Sequence, residues 1–196
     1  MTALPREIVL ASSSSYRKAL IGRLGLDCMT IAPDIDESAL PGESPVATAT
    51  RLAQAKARKV ATSKPEALII GSDQVALLDD AVLGKPGSHE SAVRQLRLMS
   101  GKTTVFHTAI CLYDAASEEM QCANVPTTVH LRELSDEVIE RYLKQDQPYD
   151  CAGSAKIEAL GIALVEKVES DDPTALIGLP LITLVTMLKR AGIILP

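Results

Sequence analysis

The sequence predicts an α/β fold, bordering on α+β, with helices interleaved around a mixed sheet. Three observations predict it. Glu7-Ile-Val-Leu-Ala11 and Ala67-Leu-Ile-Ile-Gly71 are short, unbroken apolar runs with the length of buried strands. The segments between such runs carry apolar residues at helical spacing behind capping residues. Finally, Thr103–Tyr113 and Met120–Leu131 are rich in β-formers and split by the polar Asp114-Ala-Ala-Ser-Glu118, which suggests an antiparallel pair.

Taken in order, the strand at 7–11 runs into four serines and then a helix over Tyr16–Leu26. Ala19, Leu20 and Leu24 share its apolar face, Ser14 or Ser15 caps it, and Gly25 lies at its end. Ser44-Pro45 pairs a capping residue with proline at the first helical position, so a second helix should run to about Thr62. Its inward residues are Val46, Ala49, Leu52, Ala53 and Val60. Ser72-Asp73-Gln74 falls at the C-terminal end of the second strand. A third helix covers Glu90–Met99 and stops at Gly101, and Ser135 opens a shorter one reaching Lys144. Ile162–Val168 reads as another strand, and Pro180–Ala191 as the closing helix with Gly192 behind it.

The 196 residues suffice for one domain, 1–196, or two closely joined lobes. With one Phe, four Tyr and no Trp, aliphatic residues must fill the core. A net charge of −5 disfavours broad binding to nucleic acid or anionic membrane, so an anionic ligand must be met by a few focused cations and backbone amides. No apolar run approaches the ~20 residues of a membrane helix, and the first residues show no signal-peptide core. Cys28, Cys111, Cys122 and Cys151 are scattered, without zinc-like spacing, and read as reduced thiols of a cytoplasmic protein.

Five stretches could carry chemistry. Ser12-Ser-Ser-Ser-Tyr-Arg-Lys18 sets hydroxyls and two cations at a helix N-terminus, where unpaired N–H groups and the dipole suit phosphate. By itself it is equally an ordinary capped helix. Asp34-Ile-Asp-Glu37 groups carboxylates that can hold a hard cation or simply face water. Asp73 ends an apolar strand, the usual place for ligands in α/β folds. Gly84-Lys-Pro86 is a fragment of a phosphate loop without the full P-loop pattern. Cys151-Ala-Gly-Ser-Ala-Lys-Ile-Glu158 combines small residues with the opposite charges of Lys156 and Glu158. His89, His107 and His130 lack metal-like spacing.

The ordered set Leu10–Lys18, Asp36-Glu37, Arg51–Ala57, Ile70–Gln74, Gly84-Lys-Pro86, Ala152-Gly-Ser154 and Ile177-Gly-Leu-Pro180 resembles the Maf family of nucleotide pyrophosphatases over nearly the whole chain. These are relatives of the inosine-triphosphatase-like enzymes. The resemblance implies an elongated mixed sheet in two lobes with a central cleft, and cleavage of a nucleoside triphosphate to monophosphate and pyrophosphate. It implies a divalent cation, Mg²⁺ or Mn²⁺. Ser12, Ser14, Arg17, Lys56 and Lys85 fall on phosphate-binding positions. Asp73 falls on that of the proton acceptor, with Glu37 its companion at the metal.

Tyr16, Gln74 and Glu158 together are similar to the branch acting on 7-methyl-GTP, where an aromatic, a Gln and a Glu set base choice. The chemistry agrees: N7-methylation makes the guanine ring cationic, which favours stacking on an aromatic ring and pairing with a carboxylate. Two departures stand out, Tyr16 where that branch often has Trp, and Glu158-Ala-Leu-Gly161 where Glu-Gly-Phe-Gly is familiar. The rivals are a dTTP/UTP or non-canonical purine triphosphate pyrophosphatase and a non-catalytic nucleotide sensor in cell-division control. The partner implied is a small nucleotide, without nucleic acid or membrane; the oligomeric state stays open, a homodimer included.

Overall fold

A computed structural model describes residues 6–79 and 81–195. The first residues, in which the sequence shows no signal-peptide core, lie as far as residue 5 outside the described residues. In chain order the elements are β1 (Ile8–Ala11), α1 (Ser15–Gly22), β2 (Cys28–Ile31), α2 (Pro45–Ala61), β3 (Leu68–Leu78), β4 (Ala81–Leu83), α3 (His89–Met99), β5 (Thr103–Asp114), β6 (Met120–Leu131), α4 (Asp136–Asp146), β7 (Val165–Ser170) and α5 (Leu181–Arg190). Short 3₁₀ turns occupy Ala152–Ser154 and Leu160–Leu164. The strands form one sheet in the order β2-β1-β3-β5-β6-β7, with β4 on β3. β2, β1 and β3 run parallel, while β4 and β7 are antiparallel to their neighbours, so the sheet is mixed as expected.

The differences from the sequence reading have local causes. β3 does not end at Gly71 but continues to Leu78, placing Asp73 and Gln74 inside the strand. Its first half is wholly buried and its second half alternates, so only the first half is an apolar run. α1 stops at Gly22, short of Leu26, and Gly25 takes a left-handed conformation in the turn behind it. Half-exposed β2 has too weak a pattern to announce itself. Residues 160–164 form a 3₁₀ turn before β7.

Cys111 and Cys122 are joined in a disulfide, which corrects the expectation of four reduced thiols. Neighbouring strands β5 and β6 bring their Cα atoms to 4.2 Å, a proximity set by strand register and invisible in sequence spacing. Cys28 and Cys151 take no part in a disulfide, and burial pushes the Cys28 thiol up to about 11.

The chain divides into two compact units. The first holds the described residues up to Gln74, Thr108–Val125 and the residues from Asp172 onward. Here strand alternation sorts the core. Ile8, Leu10, Leu68, Ile70, Ile110 and Leu112 pack with Leu20 and Ile21 of α1 and Leu184, Met187 and Leu188 of α5. Val9, Ala11 and Ile69 turn the other way and pack with Ala57 and Val60 of α2. The second unit comprises 75–107 and 126–171 and includes α3 and α4, with Leu96, Met99, Phe106, Ile139 and Leu143 buried. Among the described residues no helix is long and apolar enough to cross a membrane.

One contact fixes α2 on the sheet. A Cβ built on Gly71 would lie 2.0 Å from the Ala53 carbonyl oxygen and 3.1 Å from Ala57 Cβ. Helix and strand therefore meet backbone to backbone, next to the residues that carry Lys56 and Asp73. Gly71→Ala must push α2 away and should cost about 1–3 kcal/mol. Urea unfolding followed by circular dichroism measures the loss, and a variant as stable as the parent would contradict this packing.

Candidate active site

Asp73 follows Ile69 and Gly71 in the alternation of β3, and its side chain meets α2. Lys56 lies on the buried face of that helix, its side chain only 6% exposed, with Nζ donating to Asp73 Oδ1 at 2.6 Å. Glu37, in the loop before α2, brings Oε1 to 2.7 Å from the same nitrogen. One buried ammonium thus bridges two carboxylates. Left unpaired, such a charge would cost several kcal/mol by the usual ~3–5 kcal/mol penalty for breaking a buried pair. Burial pulls the Arg17 pKa below its ordinary value, while the charges of Asp73 and Glu37 oppose it by favouring the charged form.

The loop carrying Glu37 is tied down by a fork. Arg51 Nε and a terminal nitrogen donate to the two carboxylate oxygens of Glu43, each at 2.8 Å, and Arg51 also reaches the Ser38 carbonyl at 2.9 Å. Thr48 and the Leu40 amide donate to Glu43 as well. This carboxylate, missed in the sequence, holds the loop against α2. Asp36 accepts the Ser38 amide at 2.9 Å, and hydrogen bonds from Ser38 hold its carboxyl below the usual range.

Between β1 and α1 the serines are partly engaged with one another. Ser12 is buried, and its Oγ accepts the Ser14 amide at 3.1 Å. Ser14 is the N-cap, accepting the Arg17 amide at 3.3 Å. Both hydroxyls accept from the chain, which leaves their protons to donate. Tyr16 is half-buried in the first turn, and Arg17 Nε donates to the Gly178 carbonyl at 2.8 Å.

Ser72 and Gln74 turn to the opposite face from Asp73. The Ser72 hydroxyl lies 2.8 Å from the Ala109 carbonyl and 3.0 Å from that of Gly178. Gln74 Nε2 faces Thr108 Oγ1 at 2.9 Å and the carbonyls of Ala175 and Leu176 at 3.1 Å. Its amide nitrogen is therefore committed to the turn before α5. Asp172 organises that turn: Oδ2 accepts the amides of Ile182 and Thr183 at 2.8 and 3.2 Å, while Oδ1 accepts that of Thr174 at 3.1 Å. Pro180 offers no capping side chain, so the cap of α5 comes from a residue distant in sequence. Local capping patterns do not find it.

Lys85 and Glu158 belong to the second unit. Lys85 is exposed and makes no ion pair among the described residues. Glu158 precedes the second 3₁₀ turn and is exposed overall; partial desolvation of its carboxyl raises it above the ordinary value, against the opposing charge of Lys156.

Residues 7–191 match the model of the Maf-like proteins. The chain belongs to the Maf-like family. It is 58% identical over 186 residues to the 7-methyl-GTP pyrophosphatase of Methylobacillus flagellatus, covering 95% of this chain and 97% of that one. Its identity to the protein of the same name from Cupriavidus pinatubonensis is 56%, with 97% and 96% covered. For that of Thiobacillus denitrificans the figures are 54%, 98% and 96%.

In this Maf-like chain, Glu37 and Asp73, which converge on Lys56, are carboxylates that could hold a divalent cation. Among the described residues no group of three His, Cys, Asp or Glu side chains gathers around one point. Two carboxylates completed by water and phosphate oxygens are a usual setting for Mg²⁺, and this donor pair fits it.

The Arg51 fork holds the Glu43 carboxyl down to about 2. A lowered carboxylate pKa contributes stability in full above the ordinary value of 4.5, and loses it as pH falls from there through about 2. Hydrogen exchange at the amides of 38–43 should accelerate over that window beyond the intrinsic change. Glu43→Gln should show the loosened loop already at neutral pH, with no further step on acidification.

Proposed function

We propose that this chain hydrolyses 7-methyl-GTP to 7-methyl-GMP and diphosphate, cutting between the α- and β-phosphates. The carrying observation is the cluster of Glu37, Lys56 and Asp73 with Arg17 beside it, in a chain 54–58% identical over nearly its whole length to proteins named 7-methyl-GTP pyrophosphatase.

The hydrolytic step needs an oriented water, a proton acceptor and neutralisation of the charge that builds on leaving diphosphate. Asp73, anchored by one oxygen on Lys56, orients the water and takes its proton on the other. Lys56, Arg17 and Lys85 offset the charge of the diphosphate, and the hydroxyls of Ser12 and Ser14 donate to phosphate oxygens. A divalent cation, Mg²⁺ or Mn²⁺, held by Glu37 and Asp73 supplies Lewis-acid stabilisation of the phosphate oxygens when bound. Tyr16 stacks on the cationic base and Glu158 pairs with its charge. Gln74 acts on base choice through the Ala175–Leu176 backbone that it holds. This reading makes the chain a cytoplasmic enzyme of the nucleotide pool and requires no nucleic-acid partner.

Asp73→Asn should lower kcat at least about 100-fold, the range of a lost general base, while far-UV circular dichroism stays that of the parent. Diphosphate release from a panel of 7-methyl-GTP, GTP, dTTP, UTP and ITP checks both points. An active Asn variant sinks the role of Asp73, and a preference for dTTP or UTP sinks the substrate assignment.

Glu158 adds a pH signature. Because its pKa is raised, the ionised carboxylate is lost at a higher pH than an ordinary Glu would show. The preference for 7-methyl-GTP over GTP, taken as a ratio of kcat/KM, should therefore decline on acidification before ordinary carboxylates titrate. In Glu158→Gln that ratio should be lower and independent of pH.

A further inference from the structure

Two of the stretches singled out in the sequence, Gly84-Lys-Pro86 and Ala152-Gly-Ser154, are far apart along the chain, yet one side chain touches both. Gln95, half-buried on α3, donates from Nε2 to the Gly84 carbonyl at 2.9 Å. Its Oε1 accepts the Ser154 hydroxyl at 2.5 Å. Both ends of the amide are thus used, one on each stretch. A carboxylate could not serve the Gly84 carbonyl and an ammonium could not accept from Ser154, so the bridge needs a group that both donates and accepts, as the amide does.

The surroundings show what the bridge holds. Ser154 is buried in a left-handed conformation, φ 57°, one that a non-glycine residue adopts only when its surroundings impose it. Gly153 before it is left-handed too, and a Cβ there would press on Phe106 and Met99 at 3.3 and 3.4 Å. On the other side, Lys85 follows the bonded Gly84, and the Gly87 amide donates to the Tyr149 carbonyl at 3.0 Å. The backbone of the Lys85 loop is thereby tied on both sides of the lysine, while the lysine itself makes no ion pair among the described residues.

We infer that Gln95 is a positioning residue, which locks the backbone of the Lys85 loop to the 152–154 turn so that Lys85 presents its ammonium to the diphosphate part of the substrate. The inference rests on the proposed phosphate role of Lys85 and adds the residue through which that role is maintained. Gln95 touches neither substrate nor cation in this scheme. It acts by limiting the positions the loop can take, which lowers the ordering cost of phosphate binding.

A double-mutant cycle tests this, with inorganic pyrophosphate as the probe and its Kd measured by isothermal titration in Mg²⁺. Lys85→Ala should weaken pyrophosphate binding about tenfold, and Gln95→Leu about fivefold, with KM for 7-methyl-GTP rising in parallel and kcat changing less. In the Lys85→Ala background, Gln95→Leu should add less than a twofold effect, because the group it positions is gone. A general loosening of the fold would add its full effect in both backgrounds, and that result overturns the inference. Gln95→Glu covers the event that Gln95→Leu does not fold: it keeps the size and the acceptor for Ser154, replaces the donor to Gly84, and should reproduce the fivefold loss. A Lys85→Ala defect with unaltered binding in both Gln95 variants overturns the positioning role alone. Unaltered binding in Lys85→Ala overturns the phosphate role of the lysine, and the inference falls with it.

Discussion

The buried ammonium of Lys56 sets the terms for the rest of the first unit. A charge so far from water is tolerated only against opposite charge, and Asp73 and Glu37 both close on it within 2.7 Å. That demand reaches outward. The helix must lie close to the sheet, which the missing Cβ at Gly71 allows. The loop before the helix must stay folded toward it, which the Arg51–Glu43 fork secures. Several residues without chemistry of their own thus serve to keep one ion cluster assembled.

Strand alternation supplies the second constraint. Consecutive residues of β3 divide their work between two faces. Asp73 meets α2 and its cation, while Ser72 and Gln74 hold the carbonyls of the turn before α5. The same turn receives Arg17 from α1 at Gly178 and is anchored by the Asp172 carboxylate. Adjacent residues of one strand can therefore hold separate networks, Asp73 an ion cluster with α2 and Gln74 a backbone segment before α5.

Part of the site was legible because its residues break local expectation. An aspartate at the end of a buried apolar run stands out against its surroundings, whereas Lys56 is reached only through the resemblance to the family's ordered motifs. The capped start of α1 was legible for a similar reason, Ser14 being the cap in fact. What escaped notice was ordinary by itself. Glu43, Thr108 and Asp172 look like surface polar residues in a linear reading, and Gln95 is one glutamine in an amphipathic helix. Their roles come from partners on other elements that only the folded chain brings alongside, as with the pairing of Cys111 and Cys122.

The linear order of residues determined the class of fold and the place of most helices and strands. Those properties follow from apolar periodicity, capping and residue chemistry, which act over a few positions at a time. Folding in three dimensions settled which groups meet. It carried β3 past Gly71, turned Asp73 and Gln74 to opposite faces, and joined Lys56 to two carboxylates at once. It also tied Gly84 to Ser154 through Gln95. Such contacts depend on strand register and the close approach of backbones, and neither leaves a periodic trace in the sequence.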